Sequence, residues 1–355
     1  MKAWILHNIG DIRYEEVTKP EPAAGEVLIR VGAAGICGSD IPRIYDTGAH
    51  RMPLIPGHEF SGEVVETGED VDAAWKGKRV GVFPLIPCRT CSQCKDGRYE
   101  LCRNYDYIGS RRDGAFGEYV TVPAANLIEI PEGVSYETAA MSEPMAVAVH
   151  AIRRVLDNPN KDISIAVYGL GTIGLFVTMF LKTAGYNNLY LIGNKESQKR
   201  SIISLGISEN RYYDNSMYKS GDKTANGGAD VVFECVGRTQ TYADAVDIAA
   251  PMGKVMLVGN PYSDMTLPRY IYWKILRNQL TVTGTWNSSF VLNSVTPGKP
   301  VEYNDDWHYV YNLLSAGSID PGRFITHRFA PENLKQGFEI MRDKTEEYVK
   351  IMAVF

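Results

Sequence analysis

The pattern of apolar and polar positions changes near Lys161. Before it, apolar residues come in short runs broken by Gly and Pro, such as EVLIRV, GEVVETG, KRVGVF and EYVTV, and each run predicts a short strand. After it the runs are longer. The segment DISIAVYGLGTIGLFVTMFLKTAG predicts a buried strand over Ile163–Tyr168, a glycine turn, and a helix whose apolar side includes Ile173, Val177 and Leu181. Strand candidates recur at NLYLIG, DVVFECV, KVMLVG and LTVTG, separated by helical stretches at SQKRSIISLG and YADAVDIAA. This alternation predicts an α/β, parallel, doubly wound sheet in the second half of the chain. Cys235, inside DVVFECV, reads as an ordinary buried strand residue.

Length and charge refine this picture without changing it. A chain of 355 residues is too long for one ordinary core, which predicts two domains. With 45% apolar residues, 22% charged residues and a formal charge of -5, the chain has no basic surface suited to nucleic acid or anionic lipid. The N-terminal run MKAWILHNIGDIRYEEV is interrupted by His7, Asn8 and Asp11, so it lacks the apolar core of a signal peptide, and no apolar run is long enough to span a bilayer. The expectation is a cytoplasmic protein with reduced thiols.

That expectation gives the cysteines a meaning. Four of the six lie in CRTCSQCKDGRYELC with the spacing C-x2-C-x2-C-x7-C: Cys88, Cys91, Cys94 and Cys102. Short gaps let successive sulfurs face one point, and four thiolates fill a tetrahedral zinc sphere, leaving no place for a substrate. The spacing predicts a structural zinc lobe. The intervening Arg89, Lys95, Asp96, Arg98 and Glu100 are mixed in sign and form no phosphate-tracking surface, which argues against a nucleic-acid-binding zinc ribbon.

A second donor set is dispersed. Cys37 in ICGSD, His58 in PGHEFSG and Glu143 in MSEPMAVAVH offer one sulfur, one nitrogen and one oxygen, which would leave zinc a fourth position open, as a catalytic site requires. Glu59 is either an alternative ligand or a group that holds the water.

The glycine turn fits a nucleotide. Gly169, Gly171 and Gly174, with Thr172 and Ile173 at the helix start, form GxGxxG between a strand and a helix, where a pyrophosphate approaches a helix N-terminus. An NAD site usually carries an acidic residue about twenty positions further on. Here the second strand ends in LIGNKESQKR, with Gly193 at that place and Glu196 a turn too late. Asn194, Lys195, Lys199 and Arg200 suit a 2'-phosphate, so NADP(H) is expected, with NAD the alternative.

The stretch GHEFSGEVVETGEDV satisfies G-H-E-x2-G-x5-G-x2-V through Gly57, His58, Glu59, Gly62, Gly68 and Val71. With the cysteine lobe and nucleotide turn following in order, the chain resembles the zinc-containing medium-chain dehydrogenase/reductase family over nearly its full length. The resemblance implies a GroES-like β-barrel catalytic domain over 1–144 with the zinc lobe at 84–104, a Rossmann domain over 145–285, and a C-terminal return to the first domain over 286–355. It also implies an active site between the domains and a homodimer or homotetramer.

The SEP context of Glu143 resembles the sorbitol dehydrogenase-like branch, which points to polyols. In that group the residues before Asp113-Gly114 reach towards substrate, and here two are Arg111 and Arg112, whose forked donors suit a phosphate. Asn287 stands where sorbitol dehydrogenase has a substrate-contacting arginine. The implied reaction is interconversion of a polyol phosphate and a ketose phosphate, with zinc lowering the pKa of a substrate hydroxyl, hydride passing to the nicotinamide, and Ser39 carrying the proton outward. The family often continues that relay through a histidine; Pro42 occupies its place, leaving water, Glu59 or the cofactor ribose to complete the route. The competing readings are a dehydrogenase of an unphosphorylated polyol and a zinc-braced nucleotide-binding protein without catalysis.

Overall fold

A computed structural model describes residues 1–156, 160–215, 227–291 and 304–355. The chain forms two compact units: Met1–Ala146 with Ser288–Phe355, and Val147–Asn287.

The first unit is built on a seven-stranded sheet in which Glu26–Gly35 is central. That strand pairs antiparallel with Glu59–Thr67, with Tyr119–Pro123 and with the last strand, Lys350–Val354. The strand Glu59–Thr67 continues through Arg79–Val82 to Leu127–Glu129, and Lys350–Val354 pairs in parallel with Ile325–Phe329. The C-terminal return is held by apolar contact. Phe338, on the helix Leu334–Asp343, meets Trp4 edge-on at 6.0 Å and Phe116 at 5.4 Å, and the Trp4 indole N–H donates to the Pro331 carbonyl at 2.7 Å. These rings join Phe60, Val64 and Ile351 in one core, so a chain end far away in sequence completes the fold of the beginning.

The cysteine-bearing loop is an excursion from this unit. Its stem is a two-stranded pair, Leu85–Ile86 with Asp106–Tyr107, in which Leu85 faces Tyr107. The loop itself carries little besides the short helix Ser92–Lys95 and a single 3-10 turn at Tyr99–Leu101.

The second unit is the expected doubly wound sheet. Six parallel strands lie in the order Tyr212–Asp214, Leu189–Gly193, Ile165–Tyr168, Ala229–Glu234, Ala249–Leu257, Thr281–Gly284. The first strand starts two residues later than the apolar run predicts, because the Ser164 amide and hydroxyl donate to the Asp230 carboxylate instead of joining the ladder. Cys235 lies one residue past its strand, half-buried, with its thiol pushed well up by burial and by Glu234. The helix Thr172–Thr183 is buried continuously from Gly174 to Leu181, more than a one-sided apolar stripe requires. The apolar pattern does not mark a further helix, Arg269–Arg277, because Tyr270, Tyr272, Trp273 and Leu276 are exposed and only Ile271 is buried. Among the described residues no helix is long and apolar enough to cross a membrane.

The three glycines of the nucleotide turn serve different needs. Gly169 has φ +93°, which favours glycine. A Cβ on Gly174 would overlap the Gly169 carbonyl oxygen, so this residue sets the close approach of helix to strand. Gly171 is different: a Cβ there meets nothing within 4 Å. Gly174→Ala should therefore destabilise the protein by about 1–3 kcal/mol through forced backbone displacement, while Gly171→Ala should leave thermal unfolding nearly unchanged. Equal losses in the two variants would contradict this division.

Candidate active site

Sequence separation hides how close Cys37 and His58 are. The antiparallel register places Gly35 opposite Glu59, so the residue two beyond Gly35 and the residue one before Glu59 emerge together at the same end of the sheet. The ligand atoms of Cys37, His58 and Glu59 all lie within 4.8 Å of one another. Glu143, the expected third donor, is not in that set. It sits in the first turn of the helix Ser142–Val155 and accepts a hydrogen bond from the Tyr107 hydroxyl at 3.2 Å.

The surrounding groups are buried and charged. Asp40 is fully buried; its carboxylate takes the Cys37 amide at 2.9 Å and the Arg43 guanidinium at 2.5 Å, and lies 3.6 Å from His58 Nδ1, beyond a direct hydrogen bond. Lys350, 2% exposed, donates to the Ile36 carbonyl at 3.0 Å and is ion-paired with Glu59. Ser39 donates to the Cys37 sulfur at 3.3 Å. The Tyr107 ring packs edge-on against His58 at 5.7 Å. Pro42 lies in the helix Asp40–Tyr45 next to these groups.

Cys37, Asp40, Glu59 and Glu143 gather in one buried cluster with the cations Lys350 and Arg43. The cluster shows in the titrating groups. His58 is pushed well above its ordinary pKa: burial opposes the charge, but Asp40 and Cys37 outweigh it. Asp40 is held low, because His58 and Arg43 overcome its burial. Burial, reinforced by Glu59, lifts Glu143 from 4.5 to about 7, and burial with the Glu143 charge raises Tyr107 so that its hydroxyl remains a donor. A sulfur, an imidazole and a carboxylate within reach of one another in a buried pocket fit zinc. Asp40 lies nearest His58 Nδ1, which is buried without a hydrogen-bond partner among the described residues.

The four clustered cysteines form a separate group, with all four sulfurs within 4.8 Å. The Cys88 amide donates to the Cys102 sulfur at 3.2 Å, and Arg89 takes a left-handed φ of +59° that curls the loop back. Hydrogen bonds from Thr90 lower Cys88 to about 5, whereas burial raises Cys94 to about 12. Four thiolates this close repel one another unless a cation lies between them, so this donor set also fits zinc, with every position filled by protein.

The paired arginines separate. Arg112 was expected at substrate, but its guanidinium pairs with Glu26 at 2.7 Å and approaches Thr121 at 3.5 Å, on the central sheet. Arg43 and Arg51 are likewise held, by Asp40 and Asp113. Arg111 has no carboxylate partner among the described residues. Its Nε is buried without a hydrogen-bond partner, and its guanidinium lies 4.6 Å from the Tyr105 ring, which in turn stands 6.1 Å from Tyr107. His50 is held below its ordinary pKa by burial and then by Arg111 and Arg43, a sign of local positive potential.

In the second unit, Gly193 ends its strand where a Cβ would come within 2.5 Å of Gln198 Oε1 and 2.9 Å of the Tyr212 ring. The Asn194 amide donates to that Gln198 oxygen at 2.9 Å, and the Lys195 amide to the Tyr212 hydroxyl at 3.1 Å. Lys199 lies 3.4 Å from Glu209, and Arg200 is exposed on the same helix, Glu196–Ser204. Asn287 closes this unit with φ +50°. Open space at Gly171, at a helix N-terminus, is a cradle that a coenzyme pyrophosphate fits.

Asp40, Arg43, Tyr107 and Lys350 were missed in the sequence. Lys350 had a signal, a lysine inside the apolar run VKIMAVF; Tyr107 had none, since its role depends on the stem pairing of the cysteine loop.

Fold and site together define a dehydrogenase class. Residues 23–132 match the alcohol dehydrogenase GroES-like domain and residues 172–297 the zinc-binding dehydrogenase domain, and the chain belongs to the zinc-containing medium-chain dehydrogenase/reductase family. It is similar to galactitol 1-phosphate 5-dehydrogenase of Escherichia coli K12, with 34% identity over 95% of both chains. The crystal structure of galactitol-1-phosphate dehydrogenase from Escherichia coli superposes with a TM-score of 0.87 at 31% identity over 100% of both chains. A zinc-binding dehydrogenase of Sinorhizobium meliloti bound to NADP gives 0.87 at 28% identity, covering 100% of this chain and 99% of that one. An alcohol dehydrogenase of Escherichia coli CFT073 complexed with NADH gives 0.86 at 27%, with the same coverage.

A carboxyl raised from 4.5 to about 7 keeps its proton in the folded protein where the unfolded chain has lost it, so Glu143 opposes folding increasingly from pH 4.5 to 7 and fully above that. In chelator-treated, metal-free protein, Glu143→Gln should gain on the order of 3 kcal/mol over wild type at pH 8 and nothing at pH 4. Denaturant titrations at the two pH values measure this; a pH-independent difference would exclude Glu143 as the group responsible.

Proposed function

We propose that this protein interconverts a polyol phosphate and a ketose phosphate by hydride transfer with a nicotinamide coenzyme, preferring NADP(H). The observation that carries the phosphate is Arg111. Of Arg43, Arg51, Arg111 and Arg112 it alone has no carboxylate partner among the described residues, and it reaches the metal-binding residues through two aromatic rings. A planar fork of donors with a permanent charge suits a phosphate dianion. The likeness to galactitol 1-phosphate 5-dehydrogenase supports the same class of substrate.

Cys37, His58 and Glu59 would hold the catalytic zinc, with Glu143 beside them, and Cys88, Cys91, Cys94 and Cys102 a structural one. The catalytic ion supplies Lewis acidity that makes loss of a substrate hydroxyl proton accessible near neutral pH. Asp40 places a negative charge beside the His58 ring, and Lys350 fixes Glu59. Ser39, hydrogen-bonded to Cys37, is placed to carry the proton away. Gly171 leaves room for the pyrophosphate. Gly193 leaves no carboxylate to repel a 2'-phosphate, which Lys195, Lys199 and Arg200 would meet. The NADP-bound structure of the Sinorhizobium relative is consistent with that preference.

Specificity constants for phosphorylated and free hexitols test the substrate. Arg111→Ala should lose about 100-fold on the phosphorylated substrate, the scale of a buried charge-assisted pair, and little on the free polyol, whereas Arg112→Ala should not discriminate between them. A wild type that turns over free polyols as well as their phosphates would favour the unphosphorylated substrate instead. For the coenzyme, fluorescence titration should show Lys195→Ala with Arg200→Ala weakening NADPH binding by about tenfold or more while NADH is unchanged; equal weakening of both would remove the 2'-phosphate contact.

A further inference from the structure

Two buried carboxylates stand beside Cys37 and His58, and each has its own restraint. Glu59 is ion-paired with Lys350 and lies within the ligand set; Glu143 is hydrogen-bonded by the Tyr107 hydroxyl at 3.2 Å and lies outside it. We infer that Tyr107 is a positioning residue that holds Glu143 off the metal, so that Glu59 completes the resting ligand set, an inference that rests on the reading of Cys37 and His58 as zinc ligands.

The placement of Tyr107 makes it a firm restraint. It is the last residue of the strand Asp106–Tyr107, registered against Leu85, and its ring is held edge-on to His58. The other strand of that pair, Leu85–Ile86, leads into the four-cysteine loop, and Asp106–Tyr107 follows it. Closing the loop therefore fixes the base from which the hydroxyl reaches Glu143. Among the described residues the hydroxyl has one partner, and the bond spans 36 residues of sequence. A tyrosine present only for packing would be replaced by phenylalanine without effect on the metal, because both rings fill the same space. If the hydroxyl restrains Glu143, its removal frees a carboxylate to enter the coordination sphere.

Cobalt(II) reports ligand number through its visible d–d bands, and the spectrum of a Cys37→Ser blank subtracts the contribution of the four-cysteine site. Tyr107→Phe should move the difference spectrum towards the weaker bands of higher coordination and slow loss of the ion to a chelator by about tenfold, the lower end of the range for groups that support ligands. Tyr107→Phe combined with Glu143→Gln should restore the wild-type spectrum. A Tyr107→Phe spectrum superimposable on wild type, or a change that persists in the double variant, would overturn this role for Tyr107. A wild type that shows no cobalt signal beyond that of the Cys37→Ser blank would instead overturn the metal site, and the positioning role with it.

Discussion

The pairing of Glu26–Gly35 with Glu59–Thr67 on one side and Lys350–Val354 on the other underlies the rest of the candidate site. Because Gly35 faces both Glu59 and Met352, three segments widely separated in sequence end at one point. Cys37 follows from the first, His58 precedes the second, and Lys350 opens the third. Gly35 is small for this reason: a Cβ there would approach Glu59 Oε2 at 2.6 Å and the Lys350 side chain at 2.7 Å. Hydrogen-bond register, a backbone property, thus sets the distance between side chains whose chemistry the sequence advertises separately.

Burial then turns proximity into chemical demand. A thiol, an imidazole and three carboxyls in a dry pocket are costly to ionise together, and a metal ion among them offsets that cost. His58 is raised by the neighbouring Asp40 and Cys37 against its burial, whereas Glu143 is raised chiefly by burial itself. The four-cysteine loop solves a similar problem differently, since its donors are all thiols and leave no open place. One lobe is braced and the other retains room for chemistry. The stem that carries Tyr107 joins them.

The arginines show how adjacent residues of one type can have different fates. Arg111 and Arg112 look equivalent in IGSRRDG, yet the bridge between Ile108 and Arg112 turns the second towards Glu26 on the central sheet and leaves the first among aromatic rings. No periodicity in a loop could have separated them. Glu59 and Glu143 present the same lesson: both were candidate ligands, and only the sheet register and the Tyr107 hydrogen bond distinguish the one inside the set from the one beside it.

The sequence by itself determined the doubly wound sheet, the strand-rich first half, the cysteine lobe and the glycine turn, because each is encoded in local spacing: apolar period, two-residue cysteine gaps, glycines between a strand and a helix. Gly193 was legible for the same reason, although its tight packing against Gln198 and Tyr212 was not. Only the tertiary structure decided which donors converge, which arginine is left without a carboxylate, and that Asp40, Tyr107 and Lys350 surround the site. Those outcomes depend on strand register and on contacts between segments up to hundreds of residues apart, such as Lys350 with Glu59, and no pattern along the chain carries that information.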